Sequence, residues 1–198
     1  MITPPFQLPD LILASASPRR RELLERVGLT FSVAPSSIDE ARVRTDSPEG
    51  YVQKLAEAKA ADIAQYYPKS WILAADTIVF VNGNILGKPR NPEEARTMLR
   101  QLNGVTHKVL TGYCLTNRTR KRSFSETVET EVEFKKLTEH EIDWYIDTGE
   151  PFDKAGGYAI QGIGASFVKR ISGSVTNVVG LPLCEVIEAF KEMMHHTG

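Results

Sequence analysis

The residues of this chain best suited to chemistry are cations and acids set where plain structure would not put them. The stretch SASPRRRELLERVG, residues 15–28, reads as a helix opening: Ser17 suits the N-cap and Pro18 the first helical position, with Gly28 as a stop. Leu23, Leu24 and Val27 supply a stripe for burial. Yet the first turn carries Arg19, Arg20 and Arg21 against the positive end of the helix dipole, where each charge costs roughly 0.3–1 kcal/mol. A strand feeding such a helix offers backbone N–H groups to phosphate, and added arginines can grip phosphate oxygens two at a time. The alternative is that the guanidiniums extend into solvent, and Arg21 is the one best placed to do so.

Three further residues stand out of pattern. On a 3.6-residue period Val52, Leu55, Ala56 and Ile63 form the apolar stripe of a second helix, and Lys59 falls in the middle of it. Its ammonium either reaches past the core to solvent or points at an anion in a cleft. Asp76 lies inside the apolar strand pattern ILAADTIVFV. A carboxylate there needs a partner or a metal and is a candidate base or ligand; the alternative is a strand-end aspartate capping a loop. Glu40, beside Asp39 in SSIDEARVR, is a weak signal alone, as are Lys88 in LGKP and Lys154 in DKAGG. Together they describe several cations for phosphates and two acids, Glu40 and Asp76, for a hard divalent ion. Mg²⁺ takes one or two carboxylates and completes its shell with water and substrate phosphates, so the set points to phosphate chemistry on a nucleotide.

Other sites are excluded or read as surface. There is no G-x-x-x-x-G-K-[ST], and GGYAIQGIG has neither a following helix nor the dinucleotide spacing. The basic run NRTRKR (117–122) reads as a solvated hairpin tip, and His195 with His196 as tail and not as metal ligands.

These residues are positioned by alternating elements. A strand at 11–15 runs into a helix at 17–27; a second strand is expected at 30–36, and a helix from the Ser47 cap and Pro48 to about Tyr66. A long strand (71–81) turns through Asn82-Gly83 in the manner of a tight hairpin. The next helix opens with Asn91, Pro92, Glu93 and Glu94, acidic as the dipole prefers and capping-box-like, and ends at Asn103-Gly104. A hairpin follows whose second strand sets Phe124, Val128, Val132 and Phe134 on one face and glutamates on the other. Thr138 and Glu141 cap a helix ending at Gly149; a glycine-rich stretch, a strand FVKRI and a last helix from about Pro182 complete the chain. This is an α/β pattern with a mixed sheet and no dividing linker.

With 198 residues, 41% hydrophobic and 25% charged, the chain can bury a sizeable core, and its net charge of −1 gives no overall attraction to nucleic acid or anionic lipid. Cys114 and Cys184 suit reduced thiols, MITPPFQLPD lacks the basic and apolar regions of a signal peptide, and no apolar run approaches the ~20 residues of a membrane span. A cytoplasmic protein acting on neither nucleic acid nor membrane is expected.

The motifs LILASASPRRRELL, AADTIVFVNGNILGKP, DKAGGYAIQGIGASFVKRISGS and NVVGLPL closely resemble, in the same order, the Maf family of nucleoside triphosphate pyrophosphatases. The likeness runs from about Leu11 to Glu188, and AGGYAIQG resembles the branch acting on dTTP and UTP. It implies cleavage between the α- and β-phosphates to a nucleoside monophosphate and pyrophosphate, as house-cleaning of nucleotide pools. It also implies the fold of the inosine triphosphatases, an elongated mixed sheet with two α/β lobes around a central cleft. One catalytic domain of two lobes is then expected at 11–190, with residues 1–10 an extension outside the pattern. Carried over, Asp76 matches the proton acceptor, Glu40 with Asp76 the metal position for Mg²⁺ or Mn²⁺, and Ser17, Arg19, Arg20, Lys59 and Lys88 the phosphate side. Arg19, Thr77 and Gln161 match base selection, while Lys154 carries no assigned role. A homodimer is common for this fold. Two alternatives stay open: a pyrophosphatase for 7-methyl-GTP or inosine nucleotides, and a nucleotide-binding regulator of cell division without turnover.

Overall fold

The computed structural model describes residues 4–195. Met1–Thr3 of the extension and His196 of the tail lie outside the described residues. Contacts group the chain into two compact units. The first takes residues up to Asp76, Thr111–Val128 and the segment from Gly180 on; the second takes Thr77–Leu110 and Glu129–Val179.

Six helices and a seven-stranded sheet are described, in the order β2-β1-β3-β5-β6-β7 with β4 paired to β3. In the first unit β1 (Leu11–Leu13) is the middle strand of a parallel trio, with β2 (Ser32–Val33) on one side and the start of β3 (Trp71–Val81) on the other. Leu11–Leu13 and Trp71–Ala75 are buried without alternation, as strands covered on both faces require. Helix α1 (Pro18–Arg26) connects β1 to β2, and α2 (Pro48–Tyr66) connects β2 to β3. The face of α2 toward the sheet is made of Ala56, Ala60, Ile63 and Ala64, packed on Ile12, Ile72, Ala74 and Cys114. Small side chains let the helix lie close. At Gly112, on β5 (Thr106–Asn117), a Cβ would stand 2.4 Å from the Val52 carbonyl, so no larger residue fits. Residues ahead of β1 also belong to this unit: Leu8 is buried, and Gln7 exchanges hydrogen bonds with the Thr30 backbone.

The second unit pairs the end of β3 with β4 (Asn84–Leu86) through Asn82 and Gly83, both at positive φ (50° and 80°), the two-residue turn that the Asn-Gly pair predicts. Strand β6 (Arg122–Phe134) continues to antiparallel β7 (Val168–Ser172). Helices α3 (Pro92–Leu102) and α4 (Glu139–Asp147) are joined by Arg96–Asp143 and Arg100–Glu139 ion pairs. The core here is aromatic: His107, Phe134, Tyr145, Tyr158 and Phe167 meet edge to face. The Thr138–Glu141 capping box is present in both directions.

Four local expectations differ. The second strand shrinks from 30–36 to Ser32–Val33, an exposed edge pair ended by Pro35, which has no N–H for the ladder. Ser17 holds the N-cap position of α1, but its hydroxyl makes no capping bond. Glu94 turns back to the backbone N–H of Arg90, one residue before the cap, because the Arg90 guanidinium also draws it. A short helix, α5 (Val175–Val179), precedes the last helix, α6 (Leu183–His195).

Candidate active site

Strand β1 ends at Leu13, and the chain turns through Ser15 and Ser17 into α1, so the N-terminus of that helix follows a strand's carboxyl end. The three arginines of its first turn separate at once. Arg21 is exposed and paired to Glu25 one turn on, 2.7 Å away, a solvated surface pair. Arg20 turns inward: its Nε donates to the Gly180 carbonyl at 2.7 Å and its guanidinium to Ser15 Oγ at 3.0 Å. Burial lowers the Arg20 pKa from its ordinary value, while Asp76 and Glu40 raise it and Arg19 lowers it. Arginine nevertheless stays charged, and these four groups share one electrostatic neighbourhood.

At its centre is Lys59. Helix α2 carries it on the sheet-facing side, where its side chain is only 13% exposed. Its Nζ lies 2.7 Å from Asp76 Oδ1 and 2.7 Å from Glu40 Oε1. Asp76 ends the part of β3 assigned to this unit and is itself 14% exposed. Glu40 opens the 3-10 turn Glu40–Arg42, whose cap is Asp39. The two acids of SSIDEARVR therefore divide their work. Asp39 caps the turn and pairs with Arg42, which leaves Glu40 to face Lys59. A half-buried Tyr51, eight residues before Lys59, faces the same charges. Burial, Asp76 and Glu40 all push its phenol up, so it stays a protonated donor. Tyr51 and Ser15 were not among the residues singled out by sequence. The signal for Tyr51 was its place two turns ahead of Lys59 on one helix; Ser15 had only its nearness to the arginines.

Chemically this is three cations, Arg19, Arg20 and Lys59, set with two carboxylates beside a helix N-terminus. Both carboxylates converge on one ammonium, so they converge on one point. Among the described residues no group of three or more His, Cys, Asp or Glu could hold a metal ion. Two hard oxygen donors do fit Mg²⁺ or Mn²⁺ where phosphate and water supply the remaining ligands. The acids alone do not make a closed metal cage.

The remaining candidates belong to the second unit. Thr77 follows Asp76 on β3 and is half-buried. Lys88, after β4, is exposed and holds no ion pair with another described residue. Gln161 is exposed on the glycine-rich segment between α4 and β7. Lys154 is built into its own turn, its Nζ donating to the Glu150 carbonyl at 2.9 Å and pairing with Asp153.

A model of the Maf family, described as Maf-like protein, matches residues 10–193. The chain belongs to the Maf family. Within it, the chain is similar to dTTP/UTP pyrophosphatase of Syntrophus aciditrophicus, 50% identical over 92% of this chain and 89% of that one. It is likewise similar to the dTTP/UTP pyrophosphatase of Halalkalibacterium halodurans, 52% identical over 91% and 94% of the two chains. Among solved structures, this Maf family member shares its fold with the HAM1 protein of Coxiella burnetii. The TM-score is 0.55 at 16% identity, covering 93% of this chain and 100% of that one. The Ham1 protein of Staphylococcus aureus gives a TM-score of 0.53 at 13% identity, over 94% and 100% of the chains. The α/β class with a mixed sheet is thus shared across very different sequences.

Proposed function

We propose that this chain is a nucleoside triphosphate pyrophosphatase that hydrolyses dTTP and UTP between the α- and β-phosphates. The observation that carries the chemistry is the convergence of Glu40 and Asp76 on Lys59, in the same neighbourhood as Arg19 and Arg20. The substrate is supported by relatives named for it at about half identity along nearly the whole chain.

In this reading the phosphate oxygens lie at the N-terminus of α1, held by its N–H groups, by Ser17, whose hydroxyl is not used as a cap, and by Arg19 and Arg20. Arriving phosphate competes with the carboxylates for Lys59 and shares its ammonium. Asp76 accepts the proton of the water that attacks the α-phosphorus; the bond to the bridging oxygen breaks and pyrophosphate leaves. The fixed cations supply most of the acceleration by stabilising charge on the transferring group, the base a smaller part. Glu40 and Asp76 would hold Mg²⁺ or Mn²⁺, which when bound polarises phosphate oxygens.

From the second unit, Lys88 is assigned to phosphate and Thr77 and Gln161, with Arg19 from the first, to the base. Their support is the match to the Maf motifs. The Gln161 amide offers both a donor and an acceptor, which suits the O4 and N3–H edge of uracil or thymine, and a site built on such bonds rejects bases that leave them unpaired. No helix among the described residues is long and apolar enough to cross a membrane. Both cysteines are free thiols, which supports a reducing cytoplasmic setting. A homodimer completes the proposal and is read by light scattering.

The deciding test is release of pyrophosphate against orthophosphate from eight common triphosphates with Mg²⁺. Pyrophosphate from dTTP and UTP well ahead of the purines is expected. Equal rates on purines or 7-methyl-GTP would overturn the substrate, and binding without release would leave a regulator.

A further inference from the structure

The glycine-rich segment that carries Gln161 is shaped by two side chains from the end of α4 and the turn after it. Glu150 accepts hydrogen bonds from the backbone N–H groups of Ile163 (2.8 Å, to Oε2) and Gly164 (2.9 Å, to Oε1). Tyr145 donates its hydroxyl to Glu150 Oε1 at 2.9 Å, and the Ala159 backbone hydrogen-bonds that same hydroxyl. The loop Ala159–Gly164 is therefore closed on one phenol and one carboxylate, with Gln161 between the fixed points.

Two successive N–H groups converging on an anion form the kind of concavity that elsewhere binds phosphate; here the chain fills it with its own carboxylate. The backbone runs directly against that group. A Cβ on Gly162 would lie 2.3 Å from Glu150 Oε2, and one on Gly164 would lie 2.8 Å from the Tyr145 hydroxyl. Just ahead of the loop, the buried Tyr158 hydroxyl meets His107 Nε2 at 2.7 Å, with Phe134 edge-on to both rings. The base of the loop is thus anchored in the aromatic core, while Gln161 itself is exposed and makes no side-chain bond to another described residue.

We infer that Glu150, with Tyr145, is a positioning pair for base selection: it fixes the backbone from which Gln161 reads the pyrimidine. This rests on the assignment of Gln161 to the base. The reason to place the effect on selection is that a loose Gln161 must be ordered each time a base binds. That cost falls on the pyrimidine, whose edge its amide would bind, and not on a base it cannot pair with. Glu150 touches no reacting atom. Tying the loop to a charged acceptor holds it more firmly than a neutral one, since bonds to ionised groups are about twice as strong.

The test compares Gln161→Ala, Glu150→Ala, Glu150→Gln and Tyr145→Phe in the full chain. Each is measured for kcat and KM on dTTP and GTP, with hydrogen exchange at the Ile163 and Gly164 amides. Glu150→Ala is expected to raise the KM for dTTP about tenfold with kcat within about twofold, to narrow the dTTP-over-GTP preference, and to speed exchange at both amides. Glu150→Gln, which keeps one accepting oxygen, recovers part of each. If Glu150→Ala does not fold, Tyr145→Phe carries the test, with the same changes at smaller size. Should Gln161→Ala leave the preference intact, the base-selection assignment itself fails. If Gln161→Ala abolishes the preference while the Glu150 and Tyr145 variants keep it, the positioning role is overturned and that assignment stands. A fall in kcat equal on both nucleotides, without loss of preference, also overturns the positioning role, since it marks general structural damage.

Discussion

Lys59, Asp76, Glu40 and Arg20 of the first unit are engaged with their neighbours, whereas Lys88 and Gln161 of the second present exposed side chains. Lys59 holds two carboxylates, and Arg20 holds a carbonyl and a serine hydroxyl. Lys88 and Gln161 are exposed, and what is fixed around Gln161 is its backbone. The difference teaches two ways of preparing a polar group. Charges proposed to act on a reacting centre are held by countercharges, which keep them oriented and desolvated at tolerable cost. Gln161, proposed to meet a ligand edge, makes no side-chain bond to another described residue, so that its amide remains available.

The largest break in this contrast is Asp76→Asn. The amide still accepts from Lys59 but is a far weaker base, so kcat should fall by roughly 10²–10⁴-fold while dTTP binding by calorimetry stays near wild type. A near-normal rate would remove Asp76 from the chemistry.

Acid should strike the second unit first, through a group unrelated to the reaction. His107 is buried in the aromatic cluster, and burial pushes its pKa down from 6.5 to about 4. The unfolded chain takes the proton below pH 6.5, whereas the folded one refuses it until about pH 4. The stabilisation is whole above 6.5 and is lost as pH falls through that window, a contribution of about 3 kcal/mol. Denaturant melts of wild type and His107→Gln should diverge in slope between those pH values; parallel curves would contradict the assignment.

Removing the ammonium tests the mutual engagement directly. Lys59→Met leaves two facing acids without the ammonium between them, and the metal-free protein should lose about 1–3 kcal/mol of stability. Added Mn²⁺ should restore part of it, with tighter binding than in wild type by electron paramagnetic resonance. Unchanged stability and unchanged Mn²⁺ affinity would show that the carboxylates do not depend on Lys59.

The smallest effect sharpens the contrast. Lys88→Ala removes an exposed cation that pairs with no other described residue, so stability should move by no more than about 0.5 kcal/mol while the KM for dTTP rises. A large fall in melting temperature would show that Lys88 is engaged in the fold.

Much of this was legible in the chain. The strand and helix bounds at Trp71–Val81 and Pro48–Tyr66 follow from a mostly apolar run, a Ser-Pro opening and a proline stop, signals that are local and strong. The Thr138 box is equally local. Lys59 and Asp76 were visible as misfits because each interrupts an apolar pattern, yet nothing in that pattern says that they face each other. The meeting depends on α2 crossing β3. Glu150 gave no signal, since a glutamate after a glycine is ordinary until the loop folds around it. Strand β2 was overextended because edge pairing is settled by neighbours, and α5 was missed because five residues carry no period.

The bond from Arg20 to the Gly180 carbonyl spans 160 positions of sequence. The residues just beyond Gly180, Leu181, Val186, Ala189 and Phe190, are buried in the first unit. During synthesis the corner around Arg20 is therefore left unfinished until Gly180 and the buried residues after it have emerged from the ribosome. A nascent chain stopped short of Gly180 lacks the carbonyl that orients the Arg20 guanidinium.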